Sequence, residues 1–309
     1  MESSRHLRLG VPGEGRPAPS LIYTFMARRS GGLSLGINLF PDGKDCSFDC
    51  PYCEVFPQPG GAAFDPALLR EELAEFASVY AAGLPPLRDI SLAGKGEPTL
   101  SPFLPEALAA AAEARRLFPA ALGSASLVVI TNSTGFLEAG TADLLRRYVE
   151  EEGLVVWAKL DAGTEAWYRR VNRCPIPFEK LLSGLEAFAR ESPVVLQTML
   201  CALPPEGVPA GTADPAGTAG RGGATGLPEA EGPSEGELGA YAERVLSLLG
   251  AGARIRELHL YTQSRPSFEG LSAALPDAEL LRLAALLRPR LPLPIRVFGS
   301  EGELEAAAR

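Results

Sequence analysis

The chain reads as a parallel α/β protein, and two observations carry that reading. Short runs dense in Leu, Val and Ile, of the kind buried on both faces of a sheet, recur along the sequence. Between them lie longer segments whose apolar residues return every three or four positions, as on amphipathic helices. Strands and helices in alternation build a parallel sheet covered by helices. The 309 residues, 46% hydrophobic and 22% charged, are ample for one large core. Six or seven strand–helix units fit a partial or near-complete barrel. On pattern alone, a doubly wound open sheet fits as well.

Taken in order, residues 1–29 form an N-terminal extension. Its first twenty carry Gly, Pro and Arg without an apolar core, so no secretion signal is expected there. Leu33–Leu39 is the first strand, and Pro41 to Lys44 turn away from it. Asp65-Pro66 supplies an N-cap and a first-turn proline for a helix to about Tyr80, with Leu69, Leu73, Phe76 and Tyr80 on its apolar face. Asp89–Ala93 is the second strand. Ser101-Pro102 repeats the start signal for a helix ending near Leu117. The remaining strands are Ser126–Thr131, Leu154–Leu160, Val194–Cys201, Arg256–Tyr261 and Pro294–Phe298. Helices are expected near Ala139–Val149, Pro177–Arg190, Glu235–Leu249 and Asp277–Leu287. A stretch at about 204–235, rich in Gly, Ala, Pro, Thr and Glu and without an aromatic residue, breaks the pattern. It holds too little apolar surface to offset the entropy of ordering, so a flexible low-complexity insertion is expected, with a lid as the other reading.

The formal net charge of −9 opposes a general nucleic-acid binder, which presents a basic surface to phosphates. The arginine pairs at 28–29, 115–116, 146–147 and 169–170 read as solvated helix ends or loops. No apolar run approaches the roughly 20 residues that span a bilayer. A cytoplasmic location is expected, where a reducing compartment keeps thiols free.

The densest chemistry lies in Asp45-Cys46-Ser47-Phe48-Asp49-Cys50-Pro51-Tyr52-Cys53. Three thiolates so close together can ligate three irons of a 4Fe-4S cluster and leave the fourth open to another ligand. Zinc sites usually show paired Cys-x2-Cys motifs or a cysteine pair with a histidine pair. Here the two histidines, His6 and His259, stand far apart. Five cysteines, an odd number, do not suit a disulfide framework. The spacing by itself supports a three-thiolate metal site.

In a barrel, function collects at the carboxyl ends of the strands, and the other polar motifs fall there. Leu92-Ala93-Gly94-Lys95-Gly96-Glu97-Pro98-Thr99 follows the second strand. Its glycines allow close backbone approach, and Glu97 with free carbonyls can accept bonds from an ammonium group; a plain turn is the other reading. Thr131-Asn132-Ser133-Thr134 suits a ribose or carboxylate, or equally a helix-capping turn. Lys159 and Asp161 alternate onto one face of the fourth strand, as a structural pair or as ligand-binding groups. Gln197 and Thr198 lie on the fifth. His259, Tyr261, Gln263 and Arg265 share a parity at the end of the sixth and are candidates for a substrate pocket, although His259 alone reads as a core histidine. Cys174 and Cys201 read as small buried apolar side chains.

The Cys-x3-Cys-x2-Cys spacing, with aromatic Tyr52 before the last cysteine, resembles the signature of the radical S-adenosylmethionine (radical SAM) superfamily. The resemblance implies a partial (β/α)6-type TIM barrel over residues 30–309, with room for an extra C-terminal strand. It implies Cys46, Cys50 and Cys53 as cluster ligands, Tyr52 near the adenine, and Gly94, Gly96 and Glu97 on the amino group of SAM. Thr131, Asn132, Lys159 and Gln197 are further SAM-binding candidates. The implied activity is reductive cleavage of SAM to a 5′-deoxyadenosyl radical that abstracts hydrogen from a substrate, with Lys159, Asp161, Tyr261 and Arg265 as candidate catalytic residues. The implied partners are a flavodoxin- or ferredoxin-type electron donor and a small-molecule or protein substrate rather than a nucleic acid. A narrower likeness rests on Ser34-Leu35-Gly36-Ile37-Asn38, Gly-x-Gly-Glu-Pro-Thr-Leu, Lys-Leu-Asp-Ala-Gly and Val171-Asn172-Arg173. Over roughly residues 30–200 it is similar to bacterial and archaeal relatives of the tRNA wyosine-base synthases. Those enzymes are more basic and carry additional cysteines. A tRNA-modifying enzyme, a protein-activating enzyme and a non-catalytic iron–sulfur or zinc sensor or carrier are the rival readings.

Overall fold

A computed structural model describes residues 20–57, 64–205 and 230–305. Most of the low-complexity stretch, residues 206–229, lies outside the described residues. The chain divides into two compact units, which are taken separately.

The first unit comprises Met1–Cys46, Pro57–Thr131 and Glu138–Val156. It opens with β1 (Ile22–Ala27), antiparallel to β2 (Gly32–Ile37). The sequence places Ile22–Ala27 in the N-terminal extension, yet these residues pair with β2. The Tyr23 ring lies so close over Gly36 that a Cβ there would meet it at 2.3 Å. Helix α1 (Pro66–Glu75) starts as expected, with the Asp65 side chain accepting from the Ala67 N–H. Its last expected turn, Phe76–Tyr80, winds instead as a π-helix. Buried Glu72 on α1 accepts from the backbone N–H groups of Leu21 and Ile22, at 2.9 and 3.1 Å, and so ties the start of β1 to the helix.

Strand β3 (Leu87–Leu92) runs parallel to β2. Helices α2 (Leu104–Leu117) and α3 (Pro119–Leu122) lead to β4 (Ser126–Thr131), parallel to β3. Helix α2 starts later than the Ser101-Pro102 signal suggested. Ser101 Oγ accepts from the Phe103 N–H and closes a turn, while Pro105 occupies the first helical turn. Helix α4 (Ala139–Glu152) ends on Gly153, whose φ of 67° is left-handed.

Strand β5 (Val155–Lys159) carries the chain into the second unit, Ser47–Phe56, Asn132–Leu137 and Trp157–Arg309. There follow α5 (Glu165–Val171), α6 (Phe178–Glu191), β6 (Val194–Met199) and β7 (Cys201–Ala202). After them come α7 (Glu235–Gly250), β8 (Ile255–Tyr261), β9 (Ala273–Ala274), α8 (Asp277–Leu287), β10 (Ile295–Phe298) and β11 (Glu303–Glu305). Strands β6, β8 and β10 are parallel, and β11 is antiparallel to β10. Within the first unit the hydrogen-bonded order is β1-β2-β3-β4, and within the second it is β6-β8-β10-β11, with β7 and β9 as a separate pair. The fifth strand therefore ends before Cys201, which pairs with Ala274. Helix α5 was not anticipated. Thr164 caps it by accepting from the Trp167 N–H, and Glu237 of α7 takes the N–H groups of Gly163 and Thr164. Among the described residues, no helix is long and apolar enough to cross a membrane.

A polar chain runs through the second unit. His259 is buried, with Gln197 Nε2 2.8 Å from its Nδ1 and Glu257 Oε1 2.7 Å from its Nε2. The Glu257 carboxylate accepts from Nε2–H, which leaves Nδ1 to accept from Gln197. That hydrogen bond, against the opposing effect of partial burial and helped by the Arg296 charge, holds the Glu257 carboxyl below its usual 4.5. A carboxyl held low in the fold adds stability that is complete above its ordinary value and lost as pH falls below it. Glu257→Gln is therefore expected to flatten the stability–pH curve below about pH 4.5, measured by urea unfolding at a series of pH values.

Candidate active site

In the first unit, the loop that leads to Cys46 is stitched to the turn after β3. Asn38 Oδ1 accepts from the N–H groups of Phe40 and Lys95, at 3.2 and 3.1 Å. Lys95 Nζ donates to the Pro41 carbonyl at 2.6 Å, and the Glu97 N–H to the Asp45 carbonyl at 2.7 Å. Gly94 has φ 150°, which side chains rarely adopt, and a Cβ on Gly96 would meet the Asp45 oxygen at 2.2 Å. Both glycines are thus required by backbone geometry before any ligand is considered. Glu97 is buried, and its Oε1 accepts from the Thr99 N–H and hydroxyl and from the Thr131 hydroxyl.

Gly96→Ala must displace the Asp45 carbonyl, one residue from Cys46. A loss of about 1–3 kcal/mol is expected, the usual effect of overpacking. Urea unfolding checks it.

In the second unit, the rest of the cysteine loop is held from several sides. The Asp49 N–H donates to the Asn172 carbonyl at 3.0 Å, and Phe268 N–H to the Cys53 carbonyl at 2.8 Å. Ser272 Oγ donates to the Pro51 carbonyl at 3.2 Å. Ser47 Oγ lies 2.6 Å from Thr134 Oγ1 and accepts from Asn132 Nδ2 at 2.8 Å. Asn132 Oδ1 accepts from the Thr134 N–H and hydroxyl, the capping turn that the sequence allowed as one reading.

Asp161 is the hub of a buried network. Its Oδ2 accepts from the Tyr52 hydroxyl at 2.6 Å and Asn172 Nδ2 at 2.8 Å, and its Oδ1 from the Met199 N–H at 2.8 Å. Lys159 Nζ lies 3.3 Å from the same Oδ2 and donates to the Tyr261 hydroxyl at 2.6 Å. The ammonium also sits 5.0 Å from the ring centre of Tyr52 and 5.2 Å from that of Tyr261, within cation–π reach. Burial pulls its pKa down, but the Asp161 charge and then Tyr261 outweigh that pull and hold it above the ordinary lysine value. Lys159 is therefore a cation at neutral pH. Burial, then the Asp161 charge, lifts the Tyr52 hydroxyl well above the usual tyrosine range, so it stays a donor.

The structure thus gathers Tyr52, Lys159, Asp161 and Tyr261. It does not gather Arg265, whose side chain is 72% exposed and pairs with Glu54 at 2.6 Å. Gln197 is buried against His259. Asn172 and Ser47 are polar members to which the sequence alone assigns no role, and Ser133 belongs to the Thr131–Thr134 segment read as a ribose or carboxylate site or a capping turn. Asn172 Nδ2 lies 3.6 Å from Cys50 Sγ, and Ser133 Oγ donates to the Lys159 carbonyl at 2.9 Å.

None of the five cysteines forms a disulfide. Among the described residues, no three His, Cys, Asp or Glu side chains are gathered tightly enough to grip a metal ion as they stand. The donor chemistry does suit an iron–sulfur cluster. Three thiols share one short loop, and the Cys50 sulfur receives an amide N–H beside a fixed cation. Burial, against the pull of Lys159, pushes the Cys50 thiol up to about 12. In metal-free protein it is therefore neutral, and a metal must displace its proton. Cys174 and Cys201 are buried.

No family model matches the sequence. A Helicobacter pylori (strain ATCC 700392 / 26695) protein described as "UPF0026 protein" is 25% identical over 177 residues. The match takes in 56% of this chain and 53% of that protein, so the chain spans about half the length of the curated relative it matches. Among solved structures, a radical SAM methyltransferase from Sphaerobacter thermophilus aligns with a TM-score of 0.51 at 14% identity. The alignment covers 87% of this chain and 67% of that one. At that identity the likeness defines the fold: the α/β partial barrel expected from the sequence, not the doubly wound open sheet.

Proposed function

We propose that the protein is a radical SAM enzyme in which Cys46, Cys50 and Cys53 hold a 4Fe-4S cluster. The observation that carries the reading is the Cys-x3-Cys-x2-Cys set, outside any disulfide, on the loop after the first parallel strand, β2, of this fold. When bound, such a cluster passes an electron to the sulfonium of SAM, and the carbon–sulfur cleavage that follows gives methionine and a 5′-deoxyadenosyl radical.

The chain's own residues supply binding and orientation. In the first unit, the buried carboxylate of Glu97 is fixed by Thr99 and Thr131, which suits an ammonium group. In the second, Lys159 offers a cation held charged by Asp161, and this suits a carboxylate. Tyr52 is pinned through its hydroxyl, so its ring is a rigid wall beside Cys50 and Cys53. The electron comes from a flavodoxin- or ferredoxin-type donor. The net charge of −9 favours a small molecule or a protein over a nucleic acid as the hydrogen source.

Anaerobic reconstitution with ferrous iron and sulfide tests the reading. The expected product holds about four irons per chain. Its reduced form gives an electron paramagnetic resonance spectrum that changes on adding SAM. Uptake of zinc alone, or a cluster spectrum indifferent to SAM, contradicts it.

A further inference from the structure

We infer that Asn172 is a positioning residue that tunes the reduction potential of the cluster through its hydrogen bond to Cys50. The inference rests on the radical SAM reading above and adds to it a residue that the cysteine spacing does not disclose.

The geometry is specific. Asn172 is 1% exposed, at the end of α5, where its N–H donates to the Tyr168 carbonyl at 2.9 Å. The next residue, Arg173, takes a left-handed φ of 46° and is fixed by two hydrogen bonds to Glu269, at 3.0 and 2.8 Å. Asn172 is therefore held from behind. From that position its carbonyl receives the Asp49 N–H, beside Cys50. Its side-chain Nδ2 faces three acceptors: Asp161 Oδ2 at 2.8 Å, the Tyr52 hydroxyl at 3.3 Å and Cys50 Sγ at 3.6 Å. One amide thus spans the sulfur and the carboxylate that pairs with Lys159.

An N–H donated to a ligating sulfur stabilises the cluster most when it carries its extra electron, because the sulfur is then more negative. Removing the donor makes reduction harder. Asn172 touches neither the electron donor nor the reacting carbon in this account, so its effect is on potential rather than on the chemical step.

The test compares wild type, Asn172→Leu and Asn172→Asp after anaerobic reconstitution, without SAM, by potentiometric titration followed by electron paramagnetic resonance. Leu removes the donor at similar volume. Asp keeps the shape, removes the donor and adds charge of the wrong sign. At a fixed potential, the reduced-to-oxidised ratio is expected to fall about tenfold in Asn172→Leu, equivalent to about 59 mV for one electron. Asn172→Asp is expected to fall at least as far. Hydrogen exchange of the metal-free variants is the second readout. Faster exchange over residues 48–53, with β6 and β8 as protected as in wild type, is expected from loss of the side-chain clamp. Variants that hold iron at the wild-type potential overturn the inference and leave the radical SAM reading intact. A wild type that assembles no cluster overturns both.

Discussion

Asp161→Ala is expected to lower the unfolding free energy by about 3–5 kcal/mol, the range for breaking a buried ion pair by removing one partner. The Asp161 side chain is fully buried and that of Lys159 only 14% exposed. Alanine leaves the ammonium facing two aromatic rings and a hydroxyl, with no anion at 3.3 Å. It also removes the acceptor of the Tyr52 hydroxyl, of Asn172 Nδ2 and of the Met199 N–H. Each unsatisfied buried donor adds its own desolvation cost, on the order of 1–3 kcal/mol. Asp161→Asn keeps the shape and one acceptor, so a smaller loss is expected. Replacing the pair together, as Lys159→Met with Asp161→Leu, is expected to recover much of the alanine loss, because no lone charge is then buried. Urea unfolding of the metal-free proteins checks all three. A loss within about 0.5 kcal/mol for Asp161→Ala, the range of ordinary surface substitutions, would show that Lys159 is solvated and that the network is incidental.

Cys50→Ala is expected to do the reverse: almost nothing to the fold and everything to iron. The metal-free thiol is neutral and behaves as a small apolar side chain. Asn172 Nδ2 keeps its bond to Asp161 when the sulfur goes. Stability should therefore change by about 1 kcal/mol or less. Iron retained after reconstitution and desalting should drop from about four per chain to a trace, because two thiolates from one loop do not close the site. Iron analysis with urea unfolding of the same preparations separates the two effects. A variant that keeps its iron would remove Cys50 from the ligand set.

The sequence disclosed most where a periodic or local rule holds. Lys159 and Asp161 share a face because strand side chains alternate, and Tyr261 follows from the same parity on β8. The same parity, carried on along the sequence, also includes Arg265. Strand β8 ends at Tyr261, the chain then turns, and the arginine goes out to Glu54. Cys201 continues the apolar run of the fifth strand, but its partner is Ala274 in a different sheet, which no local pattern announces. Strand β1 was overlooked because Ile22–Ala27 adjoins a Gly/Pro-bearing segment and finds its register only against β2. Helix α5 has seven residues, too few for a periodic stripe, although Thr164 three residues before Trp167 was a usable capping signal. Asn172 was the hardest to see. An asparagine after a helix reads as a cap, and its contact with Cys50 joins residues 122 apart. The geometric need for Gly94 and Gly96 was also hidden, since the sequence alone cannot tell a ligand cradle from a tightly packed turn.

The central claim is tested most directly by incubating anaerobically reconstituted protein with SAM and a strong reductant and measuring 5′-deoxyadenosine, with Cys50→Ala treated in parallel. 5′-Deoxyadenosine and methionine are expected in equal amounts from the wild type, and none above background from the variant. A stable metal centre that neither binds nor cleaves SAM would contradict it and leave a non-catalytic sensor or carrier as the function.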